Sequence, residues 1–448
     1  MALDRIVEPA AYGPEPDAGN FWRTTVTPQP VDRLRGDVKA DFAVIGAGYT
    51  GLSAALRLAE AGADVAVIDA HQPGWGASGR NGGFCCLGGS RLSDTLMARR
   101  YGADAARDYA QAERRAVDQV AETLDRHAID ADRHSEGETL LAHAPSRVAE
   151  LAEHAAAVEA RYGLKPHLVR REELAQLGLA SPEFHGALTI PIGFAVNPLK
   201  YLSGLASAAE HAGARLFGDS PVTDVAEMAG RFHLTTPGGR LSAKTLLIAT
   251  NGYSSENVPA WLRGRTLPTQ SNVLVTRPLT ADERAAQGWT SRQMCYDTRN
   301  IVHYFRLMPD NRLLFGLRGR PRATPAVWRA TQAQARADFE RFFPAWSHVE
   351  TPHFWQGLLC ASRKLAPYVG TAGHPRAFAA FAYHGNGVAM ASHAGRLMAD
   401  LALGRSPEIP GPIAAPAHRF PLGRYRRWLL WAAWHLHRWQ DGPAQRYT

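Results

Sequence analysis

Gly46, Gly48 and Gly51 stand as G-x-G-x-x-G between an apolar run, Phe42 to Ile45, and a small-residue segment from Thr50 to Ala61 with Leu52, Leu56 and Ala59 on one face. A second apolar run, Val65 to Ile68, closes on Asp69, 23 residues after Gly46. This order predicts strand, tight turn, helix and strand, a β-α-β unit whose parallel strands need the crossover helix. The first glycine permits the turn, the second lets backbone approach a pyrophosphate, and the third lets helix and strand pack closely. The helix N-terminus offers free N–H donors to phosphates, and Asp69 offers an acceptor to ribose hydroxyls. A dinucleotide is the expected ligand, and the triplet leaves open which one.

A second glycine cluster, Gly74 to Gly83 (GWGASGRNGG), follows that acidic end directly. A nicotinamide domain has no need of it. Its small residues allow backbone to press against a flat ring system, with Arg80 and Asn81 placed to bond a polar edge. Leu246 to Gly252 (LLIATNG) reads as a buried strand ending in a small-residue turn, and Tyr383 to Ala389 (YHGNGVA) as a glycine-rich turn opening a helix. That helix N-terminus is placed to stabilise negative charge, as on a reduced flavin.

The 448-residue chain as a whole has ordinary globular composition, with 45% apolar and 21% charged residues, which excludes wholesale disorder, collagen and coiled coil. Residues 1 to 40, rich in Pro and charge, read as an arm over the surface. Helices are expected over Leu96 to His127, up to Tyr162 from about Val148, over Asn197 to His211 and over Trp328 to Phe343. Strands are expected over Arg215 to Phe217, Pro221 to Glu227, Phe232 to Thr235, Leu241 to Thr250, Leu267 to Thr276, Ile301 to Met308 and Arg312 to Leu317, the last two joined by a Pro309, Asp310, Asn311 turn. No internal repeat is visible. Four cysteines (Cys85, Cys86, Cys295, Cys360) give neither a disulfide framework nor a metal-ligand spacing, and no signal peptide or membrane span is present, so a cytoplasmic protein without a metal is expected. The net charge of +8 concentrates after Gly404, where Arg405, Arg419, Arg424, Arg426, Arg427, Arg438 and Arg446 against Glu408 and Asp441 leave +5. The body is nearly neutral, which argues against a nucleic-acid groove.

Together VIGAGYTGLSAALRLAEAG (44 to 62), GWGASGRNGG (74 to 83), LLIATNGY (ending at Tyr253) and GNGVAMA (385 to 391) make the chain resemble FAD-dependent oxidoreductases of the D-amino-acid oxidase and glycine oxidase superfamily, most of all its gamma-glutamylputrescine oxidase group. The resemblance implies an α/β fold: a Rossmann-type, glutathione-reductase-like FAD-binding domain (37–115, 195–255 and 355–403) and an interleaved α+β substrate domain (116–194 and 256–354) on a mostly antiparallel sheet. An arm (1–36) precedes them and a basic aromatic tail (404–448) follows. It places Gly46, Gly48 and Gly51 at the pyrophosphate, Asp69 at the adenosine ribose and Val222 at the adenine, with Tyr49, Thr50 and Ala70 also in the cofactor-binding set. Ser78, Arg80, Asn81 and Gly82 would lie along the isoalloxazine, with Gly385, Asn386, Gly387 and Val388 near its pyrimidine edge and Ala77, Gly83, Thr250, Asn251 and Gly252 completing the set.

Two departures matter. Amino-acid oxidases of this superfamily clamp the substrate carboxylate with an arginine after a Gly-Leu pair, where this chain has Leu359 after Gly357 and Leu358. Cys360 stands about two residues from the place where sarcosine-type oxidases attach flavin, so FAD is expected to be non-covalent. Polar contacts to substrate are then sought among Tyr296, Asp297, Arg299, Tyr304, Arg306 and His384: Asp297 would suit a distal ammonium, and Arg299 or Arg306 a distal carboxylate. The expected activity is oxidation of a primary or secondary amine, favoured as gamma-glutamylputrescine-like, with dioxygen as acceptor. A dehydrogenase serving a quinone or carrier, and a flavin-containing docking subunit, are the alternatives. Pro421 and Pro443 bracket a helix, Arg424 to Trp439, rich in tryptophan and arginine; it is expected to pack on the body rather than on a membrane surface.

Overall fold

The computed structural model describes residues 3–442. The first sheet runs in the order Tyr368–His374, Ala377–Phe381, Gly239–Ile248, Gly36–Ile45, Val65–Ile68, Arg215–Phe217. All neighbours are parallel except the first pair, with Ile45 level with both Ile68 and Ile248. The central strands are apolar over their buried length because helices cover the sheet. Tyr49–Glu60 buries ten of its twelve residues, and Gly387–Ala402 packs against it so closely that a Cβ on Gly395 would come within 2.2 Å of the Thr50 carbonyl oxygen. A hairpin, Asp224–Met228 with Arg231–Thr236, extends this sheet from Gly239–Ile248.

The second sheet runs His353–Ala361, Leu267–Val275, Leu313–Arg318, His303–Leu307, Met294–Asp297, Glu138–Leu141, Gly186–Ile190, His167–Arg170. It is antiparallel except where Met294–Asp297 meets Glu138–Leu141. Its far face is sealed by a cluster of phenylalanine and tryptophan side chains centred on Phe305, Phe315, Phe342 and Trp289.

Three sequence expectations change. The N-terminal arm is woven into the body rather than laid over it: Trp22 is 2% exposed and donates from Nε1 to the Asn81 carbonyl at 2.9 Å, while Asn20 donates to the Gly79 carbonyl at 2.9 Å. The arm therefore braces the second glycine cluster. The boundary expected after residue 115 falls within the helix Ala105–Arg126, whose Gln119 bonds Ser392 and His393 of the first unit. The strand His353–Ala361 forms an edge of the second sheet, although the chain from 355 onward was assigned to the first. Long-range pairing decides these positions, and a local pattern does not carry it.

Candidate active site

A cavity of about 1150 Å³ opens at the carboxyl ends of Gly36–Ile45, Val65–Ile68 and Gly239–Ile248 and continues beneath the second sheet. Single small-ligand sites occupy about 300–1,000 Å³, so there is room for a dinucleotide with a substrate beside it. Gly46, with φ +109°, turns the chain: a Cβ there would lie 2.7 Å from the Ala249 carbonyl oxygen. Gly48, Tyr49, Thr50, Asp69, Ala70, Ala77, Ser78, Arg80, Asn81, Gly82 and Val222 line the cavity with it, as do Thr250, Asn251, Gly385, Asn386, Gly387 and Val388. Gly51, Gly83 and Gly252 do not. They are packing glycines, whose Cβ atoms would meet the carbonyl oxygens of Gly46 at 1.8 Å, Val196 at 1.9 Å and Leu358 at 2.8 Å.

Neither Tyr49–Glu60 nor Gly387–Ala402 carries a side-chain N-cap, so first-turn N–H groups are presented to the cavity. Ser78 Oγ accepts the Tyr49 N–H at 3.0 Å, tying the two glycine clusters together. Asp69 accepts from the N–H of Ala47 at 2.7 Å and of His71 at 2.9 Å. Burial raises its carboxyl to about 6 against the pull of these backbone bonds. Arg80 is buried over the Trp75 ring, donates to the carbonyls of Trp75 and Gln356, and leaves Nη2 without a partner. A buried, unpaired guanidinium nitrogen on this wall is costly unless a ligand's polar edge completes it. The open helix termini, the glycine cradle and this orphaned donor fit a flavin dinucleotide.

Of the candidates for substrate contact, Tyr296, Asp297, Arg299, Tyr304 and His384 line the cavity. Tyr304 roofs the second glycine cluster, since its ring stands 2.8 Å from where a Gly82 Cβ would be, and its hydroxyl pairs with Ser271 at 3.0 Å. Arg306 lies outside the cavity and is a clasp, bonded to the carbonyls of Gly82 at 3.0 Å and Val196 at 2.7 Å and to His134 at 2.8 Å. His384 is saturated: Nδ1 donates to the Gly89 carbonyl at 2.9 Å and Nε2 accepts the Ser362 N–H at 3.2 Å. Burial lowers its pKa to about 4, so it is neutral.

Asp297 and Arg299 border the cavity but pair with each other at 2.7 Å. They belong to a buried network in which Asp297 also binds His303 Nδ1 at 3.0 Å, His303 Nε2 meets Asp338 at 3.3 Å, Arg299 meets Glu183 at 2.7 Å, and Arg341 bonds Glu183 and Asp338. Burial pushes the Asp297 carboxyl up, but His303 and Arg299 overcome it and hold the carboxyl down at about 2. Burial likewise opposes charge on His303, and Asp297 with Asp338 reverse it, raising its pKa. Asp297 thus contributes stability above its unfolded pKa, lost as pH falls through about 2. His303 contributes below about 6.5, and that contribution is lost as pH rises through its elevated value. His303→Ala is expected to cost about 3 kcal/mol or more at pH 6 by urea unfolding, with the difference from the parent protein shrinking as pH is raised. A constant difference across that range would contradict the charged imidazolium.

Sequence reasoning missed four cavity residues. Glu138, on the strand beside Met294–Asp297, is buried next to Cys86 and Tyr296, and burial pushes its carboxyl up to about 8. Glu113 accepts the Tyr162 hydroxyl at 2.9 Å and is pushed up to about 7 by burial. Arg318 donates to the His384 carbonyl at 3.0 Å, and burial together with nearby Arg91 lowers its pKa to about 9. Arg91 stands on the exposed rim of the same cavity. Among the described residues, neither Arg91 nor Arg318 is in an ion pair. Leu359 lines the same cavity.

All four cysteines are buried and free, and burial raises the Cys360 thiol to about 12, which disfavours the thiolate a thioether link would need. Acid denaturation should therefore release all flavin into the supernatant; fluorescence retained by the chain on a denaturing gel would show a covalent bond.

Residues 41–401 match the family described as FAD dependent oxidoreductase, DAO. The chain is a member of this FAD-dependent oxidoreductase family. It is 33% identical over 429 residues to an oxidoreductase designated OrdL from Rhizobium meliloti, spanning 92% of this chain and 95% of the relative. It is 32% identical over 413 residues to the gamma-glutamylputrescine oxidoreductase of Escherichia coli, spanning 89% and 92%. Among solved structures, glycine oxidase from Geobacillus kaustophilus shares the fold at TM-score 0.71 and 20% identity, covering 86% of this chain and 100% of that one. The flavoenzyme fold expected from the glycine motifs is thus established, as is the requirement for FAD.

Proposed function

We propose that this oxidoreductase oxidises the C–N bond of a primary or secondary amine bearing a distal carboxylate, of the gamma-glutamylputrescine kind, to an imine that water hydrolyses to the aldehyde. The observation that carries this reading is the bipolar cavity. Arg318 and Arg91 line it with no carboxylate partner among the described residues, while Glu138 and Glu113 stand on its wall with titrations shifted toward neutrality. Uncompensated cations in a partly desolvated site call for an anionic ligand group, and the carboxyls call for an amine. Leu359 in place of an arginine removes the α-carboxylate clamp, so the carboxylate is recognised away from the reacting carbon.

Bound FAD would supply the two-electron acceptor for the carbon bearing the amine, with dioxygen as the terminal oxidant and hydrogen peroxide as the product. Gly46, Gly48, Ser78, Arg80 and Asp69 would hold the cofactor, and the Tyr304 ring packed on Gly82 would exclude water from the reacting face. Glu138, in its ionised form, accepts the ammonium proton so that the amine reacts neutral; with its carboxyl raised to about 8, that form gains population as pH rises toward 8. The similarity to the Escherichia coli gamma-glutamylputrescine oxidoreductase supports the choice of substrate.

The test is oxygen uptake by the purified holoprotein with gamma-glutamylputrescine, putrescine, glycine and D-alanine. Preference for gamma-glutamylputrescine with stoichiometric peroxide is expected. Efficient turnover of glycine or D-alanine would overturn the substrate, and turnover only with an artificial electron acceptor would overturn the role of oxygen.

A further inference from the structure

The tail forms a helix, Arg427–Gln440, shorter than the bracketing prolines suggest because Gly423–Tyr425 is a separate turn; Pro443 lies outside the described residues. It docks by one stripe. Leu430, Ala433, Trp434 and His437 line the active-site cavity, and Asp441 accepts the N–H groups of Asn300 and Ile301 at 2.8 Å each. At its start Arg426 is fully buried against Glu256, and Arg427 pairs with Glu8. The packing expected from the sequence is present on this side.

The opposite stripe inverts the usual order of a surface helix, which turns charged residues outward. Trp439 is 79% exposed, Trp428 63%, Leu436 52%, Trp431 48% and Leu429 37%, with Ala432, His435 and Gln440 exposed among them. No acidic residue occurs between Glu408 and Asp441, while Arg419 and Arg424 are exposed close by in the chain. Indole rings on a helix about 21 Å long, with exposed guanidinium groups in the chain just before it, match the headgroup level of a bilayer, and the helix is too short to cross it. A second copy packed on this face about a two-fold axis would set the same arginines against each other.

We propose that the outward face of Arg427–Gln440 is a docking surface for an anionic lipid bilayer, entering its interface in the plane of the membrane. Full-length holoprotein should sediment with phosphatidylglycerol-containing vesicles and not with pure phosphatidylcholine, with a blue shift of tryptophan emission and release at high salt. The triple variant Trp428→Ser, Trp431→Ser, Trp439→Ser should bind these vesicles at least about a hundredfold more weakly, and Arg424→Ala about fivefold more weakly. Both should keep FAD content and melting temperature, since these side chains leave the Glu256 and Asp441 contacts intact. Failure of the parent protein to sediment with anionic vesicles would overturn the proposal. So would a concentration-dependent dimer in sedimentation velocity that the triple variant abolishes, which would assign the face to a second copy.

Discussion

Gly48→Val should purify colourless. A Cβ on Gly48 already comes within 2.8 Å of Ser78 Oγ, the atom that accepts the Tyr49 N–H, so a branched side chain must displace Ser78 and also project into the space where a pyrophosphate meets backbone. FAD affinity is expected to fall at least about a hundredfold, equivalent to about 2.7 kcal/mol. Because Gly48 is extended, with φ −89° and ψ −173°, valine is tolerated by the backbone, and circular dichroism should show a folded chain. Gly51 would be a poorer test: its Cβ would lie 1.8 Å from the Gly46 carbonyl oxygen, so loss of flavin there could not be separated from loss of fold. A yellow, fully loaded Gly48→Val protein would refute the placement of the cofactor.

Arg318→Met should lower kcat/KM for gamma-glutamylputrescine about ten- to a hundredfold, the value of a charge-assisted hydrogen bond of about 1.5–3 kcal/mol. The loss should fall mainly on KM, because a distal carboxylate is bound equally in ground and transition states. Putrescine, which has no carboxylate, should be affected little. Arg318→Lys should recover part of the loss, since a point charge remains while the bond to the His384 carbonyl is rebuilt less well. Equal losses on both amines would place Arg318 in the fold rather than at the substrate.

The glycine clusters made the cofactor domain legible because their chemistry is local: a turn at positive φ, a close backbone approach and an uncapped helix start are written within a few residues. The substrate side was less legible for a physical reason. Arg318, Arg306 and Arg299 lie on or beside strands with similar surroundings in sequence, yet one faces the cavity, one clasps Gly82 and Val196, and one closes an ion pair. The Asp297 and Arg299 pairing had a signal in its i, i+2 spacing, which puts both side chains on one face of an extended segment. Glu113 and Glu138 had none: one sits on a helix, the other on a strand in parallel register with Met294–Asp297, and only the tertiary fold brings them to one wall. Trp22, in an arm with no periodicity, was legible only as a large apolar residue without an assigned neighbour.

Mixing the oxidised holoprotein with gamma-glutamylputrescine in the absence of oxygen tests the account most directly. The visible flavin absorbance should bleach in one rapid phase, one equivalent of aldehyde should appear per flavin, and glycine or D-alanine should bleach it at least about tenfold more slowly, as the proposed recognition of a distal carboxylate requires. Flavin that stays oxidised with the glutamylated amine, or that is reduced fastest by an α-amino acid, would contradict the account.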